Sequence, residues 1–352
     1  MSRIQKVRSE MIKRGIEALF VSKGADISWL SGFTGSTALI IISRNESVFV
    51  TDGRYATVCR ETLDPFWQLE IVKDYDKFLR ITAEKFKRIT LLPDTTVKVW
   101  NVFRKVGAYV DIAENDFLQE LRSIKEPEEL ELLREEYRAA GKAFLRALSE
   151  WRYGQSEKEW AAVLEYRMKL EGAVKPSFDT IIASGARGAL PHGVASDKII
   201  LTEDAITVDF GSSRLYNSDY TRAVYAGKDP DLLKIINIVE GALTKALDAV
   251  KPGVASSAVD SAARKYITEA GYGDFYNHGT GHGIGIEIHE QPFIKTKSET
   301  VIADGMVFTV EPGIYIPGRF GIRLEETVAV HNTGCELLSG VLDKYVYKLS
   351  EE

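Results

Sequence analysis

The histidines of this chain are few and unevenly placed. Three of the five, His278, His282 and His289, fall in one stretch, His278-Gly279-Thr280-Gly281-His282-Gly283-Ile284-Gly285-Ile286-Glu287-Ile288-His289-Glu290, and a fourth, His192, sits in Leu190-Pro191-His192-Gly193. Imidazole binds metals, carries protons near neutral pH and donates hydrogen bonds to a developing oxyanion. Glycine at every second position from 279 to 285 excludes a regular helix, since each weakens a helix by about 1 kcal/mol relative to alanine. That removes the arrangement of two zinc-binding histidines one helical turn apart, and H-E-x-x-H is missing as well. The glycines also lack the G-x-G-x-x-G spacing of a phosphate cradle. An extended segment puts His278, His282, Ile284, Ile286 and Ile288 on one side and His289 on the other unless a bulge turns it. Glycine there would let neighbouring backbone approach closely.

Four carboxylates interrupt otherwise apolar strand patterns. Asp209 lies in Ala205–Gly211, Asp219 begins the returning strand at Ser218-Asp219-Tyr220-Thr221-Arg222, Glu311 lies in Met306–Ile316 and Glu325 in Gly321–Val330. A buried carboxylate is strongly disfavoured unless it is paired or binds a metal. Separate salt bridges, with Arg222 and Arg323 as partners for Asp219 and Glu325, explain one or two of them. Four carboxylates with His282 form a set suited to two divalent ions, with Mn, Co, Fe and Zn all feasible. The set lacks the thiolates of structural zinc. Two such ions polarise a carbonyl and acidify a water, a carboxylate can carry the water proton to a leaving amine, and a histidine can stabilise the oxyanion. The chemistry indicated is hydrolysis of an amide or ester.

The elements that must hold these residues fall into two groups. Residues 1–15 read as a helix closed by Gly15, followed by a strand at Ala18–Ser22 and a hairpin of Thr37–Ser43 with Ser47–Asp52. Helices near Tyr55–Thr62, Asp76–Lys87, Val97–Val106 and Glu114–Glu120 then alternate with strands near Leu69–Val72, Ile89–Leu92 and Tyr109–Ile112, the pattern of an α/β domain. Asp52-Gly53-Arg54-Tyr55 reads as a turn and helix cap. The charged, proline-containing Arg122–Glu129 marks the boundary, giving domains 1–122 and 123–352. Beyond it, Leu130, Leu133, Tyr137, Ala140, Phe144 and Ala147 mark a long helix. Ser156-Glu157-Lys158-Glu159 is a capping box opening a second helix, and Ile235–Val250 and Ser257–Ala270 are two more. Helices alternating with hairpins make the second domain α+β, each half carrying a helix pair and an acidic hairpin.

Composition narrows the function class. A net charge of −6 argues against nucleic acid or an anionic membrane as main partner. No segment has the roughly 18 apolar residues of a membrane span, and the N-terminus lacks the apolar core of a signal peptide. Two cysteines, Cys59 and Cys335, suggest neither a disulfide framework nor a metal cluster, so a cytoplasmic location is the expectation.

At these motifs the chain resembles the pita-bread metallopeptidases, and within them the prolidase and aminopeptidase P branch, which cleaves Xaa-Pro bonds. Leu190–Gly193, Val208–Gly211, Ser218–Arg222, His278–Glu290, Val310–Tyr315 and Arg323–Thr327 stand in the family order. Leu30–Ser36 and Thr51–Tyr55 resemble the creatinase-type N-terminal domain. The resemblance implies a C-terminal pita-bread catalytic domain behind a smaller α/β creatinase-type domain, two divalent ions with Mn or Co favoured, and a homodimer. Asp209 and His282 would each hold one metal, Asp219 and Glu325 would bridge, and Glu311 would be ligand and proton shuttle. His192 and His289 would contact the scissile carbonyl, and His278, Tyr315 and Arg323 would orient substrate or ligands. Phe178, in Ser177-Phe178-Asp179-Thr180, is a core aromatic or a pocket wall. His331 is expected on the surface.

One departure bears on the site. The family usually has one more residue between its two aspartate ligands. A change in the hairpin loop leaves both strands intact, whereas one inside a strand turns Asp219 off the site face. The intact form of Ser218–Arg222 favours the loop. The leading expectation is an Xaa-Pro aminopeptidase, with an Xaa-Pro dipeptidase second. A non-catalytic pita-bread binding module is the reading from another class, opposed by the presence of all five ligand candidates.

Overall fold

The computed structural model describes residues 1–152, 154–225 and 229–349. Two compact units are present, Met1–Arg122 and Ser123–Glu352. In the first, α1 (Arg3–Lys13) is opened by a Ser2/Gln5 capping box and ends before Gly15, whose φ of +65° only glycine adopts readily. There follow β1 (Ala18–Val21), α2 (Gly24–Ser31), β2 (Ala38–Ser43), β3 (Ser47–Thr51), α3 (Ala56–Thr62), β4 (Gln68–Ile71), α4 (Tyr75–Lys85), β5 (Arg88–Leu91), α5 (Val97–Lys105), β6 (Tyr109–Ile112) and α6 (Phe117–Ser123). The strands form one mixed sheet in the order β4-β3-β2-β1-β5-β6. Its core includes Phe20, Ile41, Val50, Leu91 and Phe103. The expected alternation of elements is present, and α2 is an addition. Its stretch, Gly24-Ala-Asp-Ile-Ser-Trp-Leu-Ser31, has a buried face of Asp26, Ile27, Trp29 and Leu30 but too short a run for its period to stand out.

The second unit opens with α7 (Pro127–Ser149) and α8 (Glu157–Leu170). The strands β7 (Lys175–Pro176), β8 (Ile181–Ser184), β9 (Ala205–Phe210), β10 (Ser212–Ser213) and β11 (Tyr220–Tyr225) follow, then α9 (Pro230–Asp248) and α10 (Ser256–Glu269). The remaining strands are β12 (Gly281–Gly283), β13 (Glu290–Ile294), β14 (Val307–Val310), β15 (Gly313–Ile316), β16 (Phe320–Arg323), β17 (Glu326–His331), β18 (Gly334–Leu337) and β19 (Val346–Lys348). One sheet has the order β19-β11-β9-β8, a second β13-β12-β14-β17-β18, and β15-β16 is a separate hairpin.

Two apolar cores result. Tyr137 and Phe144 of α7 and Trp160 and Leu164 of α8 pack on Val208 and Phe210 of β9 and Tyr220 of β11. Leu232, Ile236 and Val239 of α9 and Val259 and Ala263 of α10 pack with Phe308 and Val310 of β14 and Val328 of β17. Each fully buried aliphatic or aromatic side chain contributes roughly 1.5–3 kcal/mol relative to exposure. The amphipathic helices are therefore clamped onto the apolar faces of the sheets, and the acidic positions are left toward the other side.

Candidate active site

Two of the acidic strand patterns divide where sequence periodicity suggests continuous strands. Met306–Ile316 is two strands broken at Glu311-Pro312, and Gly321–Val330 is two broken at Leu324-Glu325. Pro312 has no N–H for a ladder, and the Glu311 N–H donates instead to the Thr280 carbonyl at 2.7 Å. At both breaks the chain passes between the five-stranded sheet and the β15-β16 hairpin. Glu311 and Glu325 thereby leave the strict alternation of a strand.

The β9-β11 ladder runs without interruption from Phe210↔Tyr220 to Ala205↔Tyr225. The shortened connection is thus absorbed between the strands, and Asp219 lies just before β11 with an oxygen 3.6 Å from His282 Nε2. The ligand oxygens of Asp209, Asp219 and Glu325 all lie within 4.8 Å of one another. His282 Nε2 is also 3.4 Å from Glu311 Oε1. The five candidate ligands therefore form two overlapping groups with Asp219 common to both.

These atoms fit divalent cations. Asp209 Oδ1 and Glu325 Oε1 are buried with no hydrogen-bond partner among the described residues. Burial, and then the charges of Glu325, Asp209 and Glu311, hold the Asp219 carboxyl well above its ordinary range. Burial raises Glu325 likewise, with Glu311 and Asp209 adding to it. Burial also pushes Glu311 up to about 7 against the opposing charge of Arg323. The His282 Nδ1–H donates to the Gly283 carbonyl at 3.1 Å, which leaves the Nε2 lone pair facing the carboxylates. Burial lowers its pKa, so the ring is a neutral donor of that lone pair.

The expected glycine-histidine strand is shorter than its pattern. Only Gly281–Gly283 is extended, and the ladder to β13 shifts register between His282 and Gly283. The bulge option holds, and His289 returns beside His282 with ring centroids 4.3 Å apart. The single strand-like wall is corrected to a short strand followed by a turn, because Gly285 is turned in by its N–H bond to the Glu287 carbonyl. Close approach does explain Gly281, where an added Cβ would stand 1.9 Å from the Thr309 carbonyl oxygen.

A polarised chain of hydrogen bonds supports the site. His278 Nδ1–H donates to the Gly279 carbonyl at 2.7 Å, so its Nε2 accepts from the Tyr315 hydroxyl at 2.9 Å. Tyr315 in turn accepts from Arg323 Nη1 at 2.8 Å. Arg323 is fully engaged, with Nη2 on Asp209, Nη1 also on the Pro191 carbonyl and Nε on Thr221. Burial lowers His278 and His289 to about 4, so both are neutral at physiological pH.

A cleft of about 510 Å³ opens on the cluster, and Phe178, His192, Asp209, Asp219, His278, His282, His289, Glu311 and Arg323 line it. Glu325 and Tyr315 sit behind that lining, Glu325 accepting from Thr221 at 3.0 Å. Phe178 is half-buried on the wall. His331 lies away from the cleft beside Glu336. The separate salt bridges weighed above form differently. Arg222, on the opposite face of β11 from Thr221, pairs with Glu326 at 3.2 Å, and Arg323 takes Asp209 rather than Glu325.

Residues not singled out in the sequence complete the support. Tyr137 accepts the Asp219 N–H at 3.2 Å and donates to Thr327 at 2.7 Å. Thr309 donates to Glu311 at 3.2 Å and accepts the His282 N–H at 3.1 Å. Tyr137 reads as one more apolar step of α7, which hides its hydroxyl. Thr221 shares a face with Asp219 two positions earlier, a signal that alternation does supply.

A carboxylate-rich centre with one imidazole, set in a cleft between sheets and backed by two helix pairs, defines a metal-dependent hydrolase. Residues 131–332 match the model of metallopeptidase family M24, and residues 3–124 match the Creatinase/Prolidase N-terminal domain. The chain is 38% identical over 344 residues to an Xaa-Pro dipeptidase of Pyrococcus furiosus, covering 96% of this chain and 97% of that one. It superposes on an Xaa-Pro dipeptidase from Bacillus anthracis with TM-score 0.93 at 35% identity, covering 98% of this chain and 99% of that one. An X-Pro aminopeptidase from Thermotoga maritima superposes with TM-score 0.90 at 36% identity, covering 99% of this chain and 100% of that one. The protein belongs to metallopeptidase family M24, in its prolidase and aminopeptidase P branch, and is an enzyme of the pita-bread fold that uses divalent metal ions. No helix among the described residues is long and apolar enough to cross a membrane.

Proposed function

We propose that the protein is an Xaa-Pro dipeptidase, a reading supported by the names of its full-length relatives in Pyrococcus and ahead of the Xaa-Pro aminopeptidase that the sequence motifs alone favour. The observation that carries it in the cleft is Lys295. Arg323 is consumed by Asp209, Tyr315, Pro191 and Thr221, whereas the Lys295 ammonium is exposed on the cleft wall beside Phe293, with no carboxylate at ion-pairing distance among the described residues. A dipeptide brings a free carboxylate one residue from the scissile bond, and Lys295 gives it a partner. Phe178, Val194, Ile288 and Phe293 supply apolar wall for a proline ring.

Asp209, Asp219, His282, Glu311 and Glu325 would hold two divalent ions, with Mn or Co favoured over Zn or Fe. When bound, such ions supply Lewis-acid polarisation and acidify a water. Glu311 takes the proton as the water oxygen attacks the carbonyl carbon, and delivers it to the proline nitrogen as the C–N bond breaks. That nitrogen is tertiary in the substrate and has no proton of its own, so it leaves only when protonated. His192 and His289, on the cleft wall, hydrogen-bond the carbonyl oxygen as negative charge develops. His278, held by Tyr315, keeps Arg323 aligned on Asp209. We also propose a cytoplasmic homodimer acting on proline-containing peptides, and gel filtration giving a lone monomer would contradict the dimer.

The test is a comparison of Xaa-Pro with its C-terminal amide. The amide is expected to raise KM at least tenfold (about 1.4 kcal/mol). Lys295→Met should remove most of that difference. Equal KM for acid and amide in the wild type would reject a carboxylate site and return the aminopeptidase reading to first place.

A further inference from the structure

His192 differs from His278 and His282 in how it is held, and shares with His289 an imidazole that makes no hydrogen bond among the described residues. His278 is fixed by Tyr315 and Gly279, and His282 by Gly283. The His192 imidazole makes no hydrogen bond among the described residues, so its place depends on the backbone that carries it. That backbone is the segment between Ser184 and Ser196, which folds on itself through Leu190 N–H to the Arg187 carbonyl, Gly193 N–H to Leu190 and Arg187 Nη2 to the Val194 carbonyl.

One carboxylate closes the neck of this segment. Glu157, the first residue of α8, is fully buried. Its Oε1 accepts the N–H and the hydroxyl of Ser184, both at 2.8 Å. Its Oε2 accepts Arg187 Nε at 2.9 Å, the Ser196 N–H at 3.0 Å and the Ser196 hydroxyl at 2.6 Å. Backbone bonds from Glu157 N–H to Lys198 and from Lys158 N–H to Ser196, both at 3.0 Å, tie the same neck to the helix start. Burial alone would raise this carboxyl, and the bonds from Ser196 and Ser184 outweigh it and leave it below the usual range. The far end of the segment is seated by Arg323 on the Pro191 carbonyl at 3.1 Å. Gly188 meets the β16 backbone so closely that a Cβ on Gly321 would stand 2.1 Å from the Gly188 carbonyl oxygen.

We infer that Glu157 is a positioning residue for catalysis: it closes the 184–196 segment and so sets His192 over the substrate carbonyl without touching substrate or metal. The inference rests on the role given to His192 under the proposed function. A glutamine at 157 keeps the size but turns one acceptor into a donor facing Ser196 N–H or Arg187, which opens the neck. Misplacement by about 1 Å costs on the order of 100-fold in rate. The metal ligands stand on other elements, and Arg323 links the segment to one of them, Asp209, through Pro191, so Mn affinity is the readout that separates a shifted His192 from a disturbed metal site.

The experiment is a double-mutant cycle of Glu157→Gln and His192→Ala, with kcat and KM on an Xaa-Pro dipeptide and Mn affinity by calorimetry. The expected result for Glu157→Gln is a 10- to 100-fold lower kcat (roughly 1.4–2.7 kcal/mol) with unchanged KM and Mn affinity. In the His192→Ala background it should add less than twofold. A multiplicative effect in the double variant, a kcat equal to wild type, or a loss of Mn affinity matching the loss of rate would each overturn the inference. Should Glu157→Gln not fold, Ser196→Ala with Arg187→Gln weakens the same neck, and the same non-additivity decides. If His192→Ala alone retains full activity, the role of His192 falls first, which separates that failure from a failure of Glu157.

Discussion

At the scale of single residues, the centre works by forcing like charges together and leaving their neutralisation to cations. Arg323 pairs directly with Asp209 and stands 3.9 Å from Glu311, so one cation faces four carboxylates. Glu311, the proton carrier in the proposed mechanism, lies between Thr309 and His282. Glu311→Gln should therefore lower kcat by at least about 100-fold while folding remains intact. A wild-type rate in a steady-state assay of that variant would remove Glu311 as the shuttle. His278 supplies a pH test outside the ligand set. Its pKa falls from the ordinary 6.5 to about 4 on folding, first because of burial. The folded form binds fewer protons, so the stability contribution is complete above about 6.5 and drains away as pH falls toward about 4. In metal-free protein the stability of wild type relative to His278→Gln should fall as pH falls from about 6.5 to about 4, whichever way the carboxyls move both curves, and a constant difference would show the ring to be solvated.

At the scale of elements, much of the site was legible because its residues violate local patterns. Asp209 and Asp219 stand out from apolar strands, and the uninterrupted β9-β11 register is what keeps them together. The closing glycine of α1 and the capping box of α8 are read directly from residue order, whereas the Ser2/Gln5 box of α1 came only with the structure. The strand breaks at Glu311 and Glu325 were missed, the first although Pro312 marks it, the second because Leu324-Glu325 carries neither glycine nor proline. The tertiary route of the Glu311 N–H to Thr280 shows where the sheet is left. Tyr137 escaped because helical period detects its ring and not its hydroxyl. Glu157 was visible as part of a cap, whereas its five donors come from residues far along the chain. The glycines of β12 were read correctly as sites of close approach. Gly281→Ala puts a carbon 1.9 Å from the Thr309 oxygen, on the strand that leads to Glu311. Denaturant unfolding should show a loss of at least about 2 kcal/mol. A loss under about 0.5 kcal/mol would mean that β12 and β14 separate freely.

At the scale of the whole molecule, stability and catalysis meet in the same cluster. Without metal, Glu311 sits near 7 against an ordinary 4.5, and Asp219 and Glu325 are raised as well, all first by burial. Carboxyls raised on folding contribute stability below their unfolded pKa and lose it as pH rises through the folded one. Chelated protein should therefore lose melting temperature as pH rises from about 4.5 through about 7. Metal-loaded protein should not, because the protons have already been displaced. A gap between the two forms that stays constant over this range would contradict the charge account.

The central claim, a metal-dependent dipeptidase specific for Xaa-Pro, is tested most directly by one paired assay. Xaa-Pro and Xaa-Pro-Yaa are offered to the same preparation with Mn or Co, after chelation, and after metal is restored. The account predicts rapid cleavage of the dipeptide, at least tenfold slower cleavage of the longer peptide, loss of both on chelation and recovery on re-addition. Faster cleavage of the longer peptide, or turnover that survives complete metal removal, would contradict it.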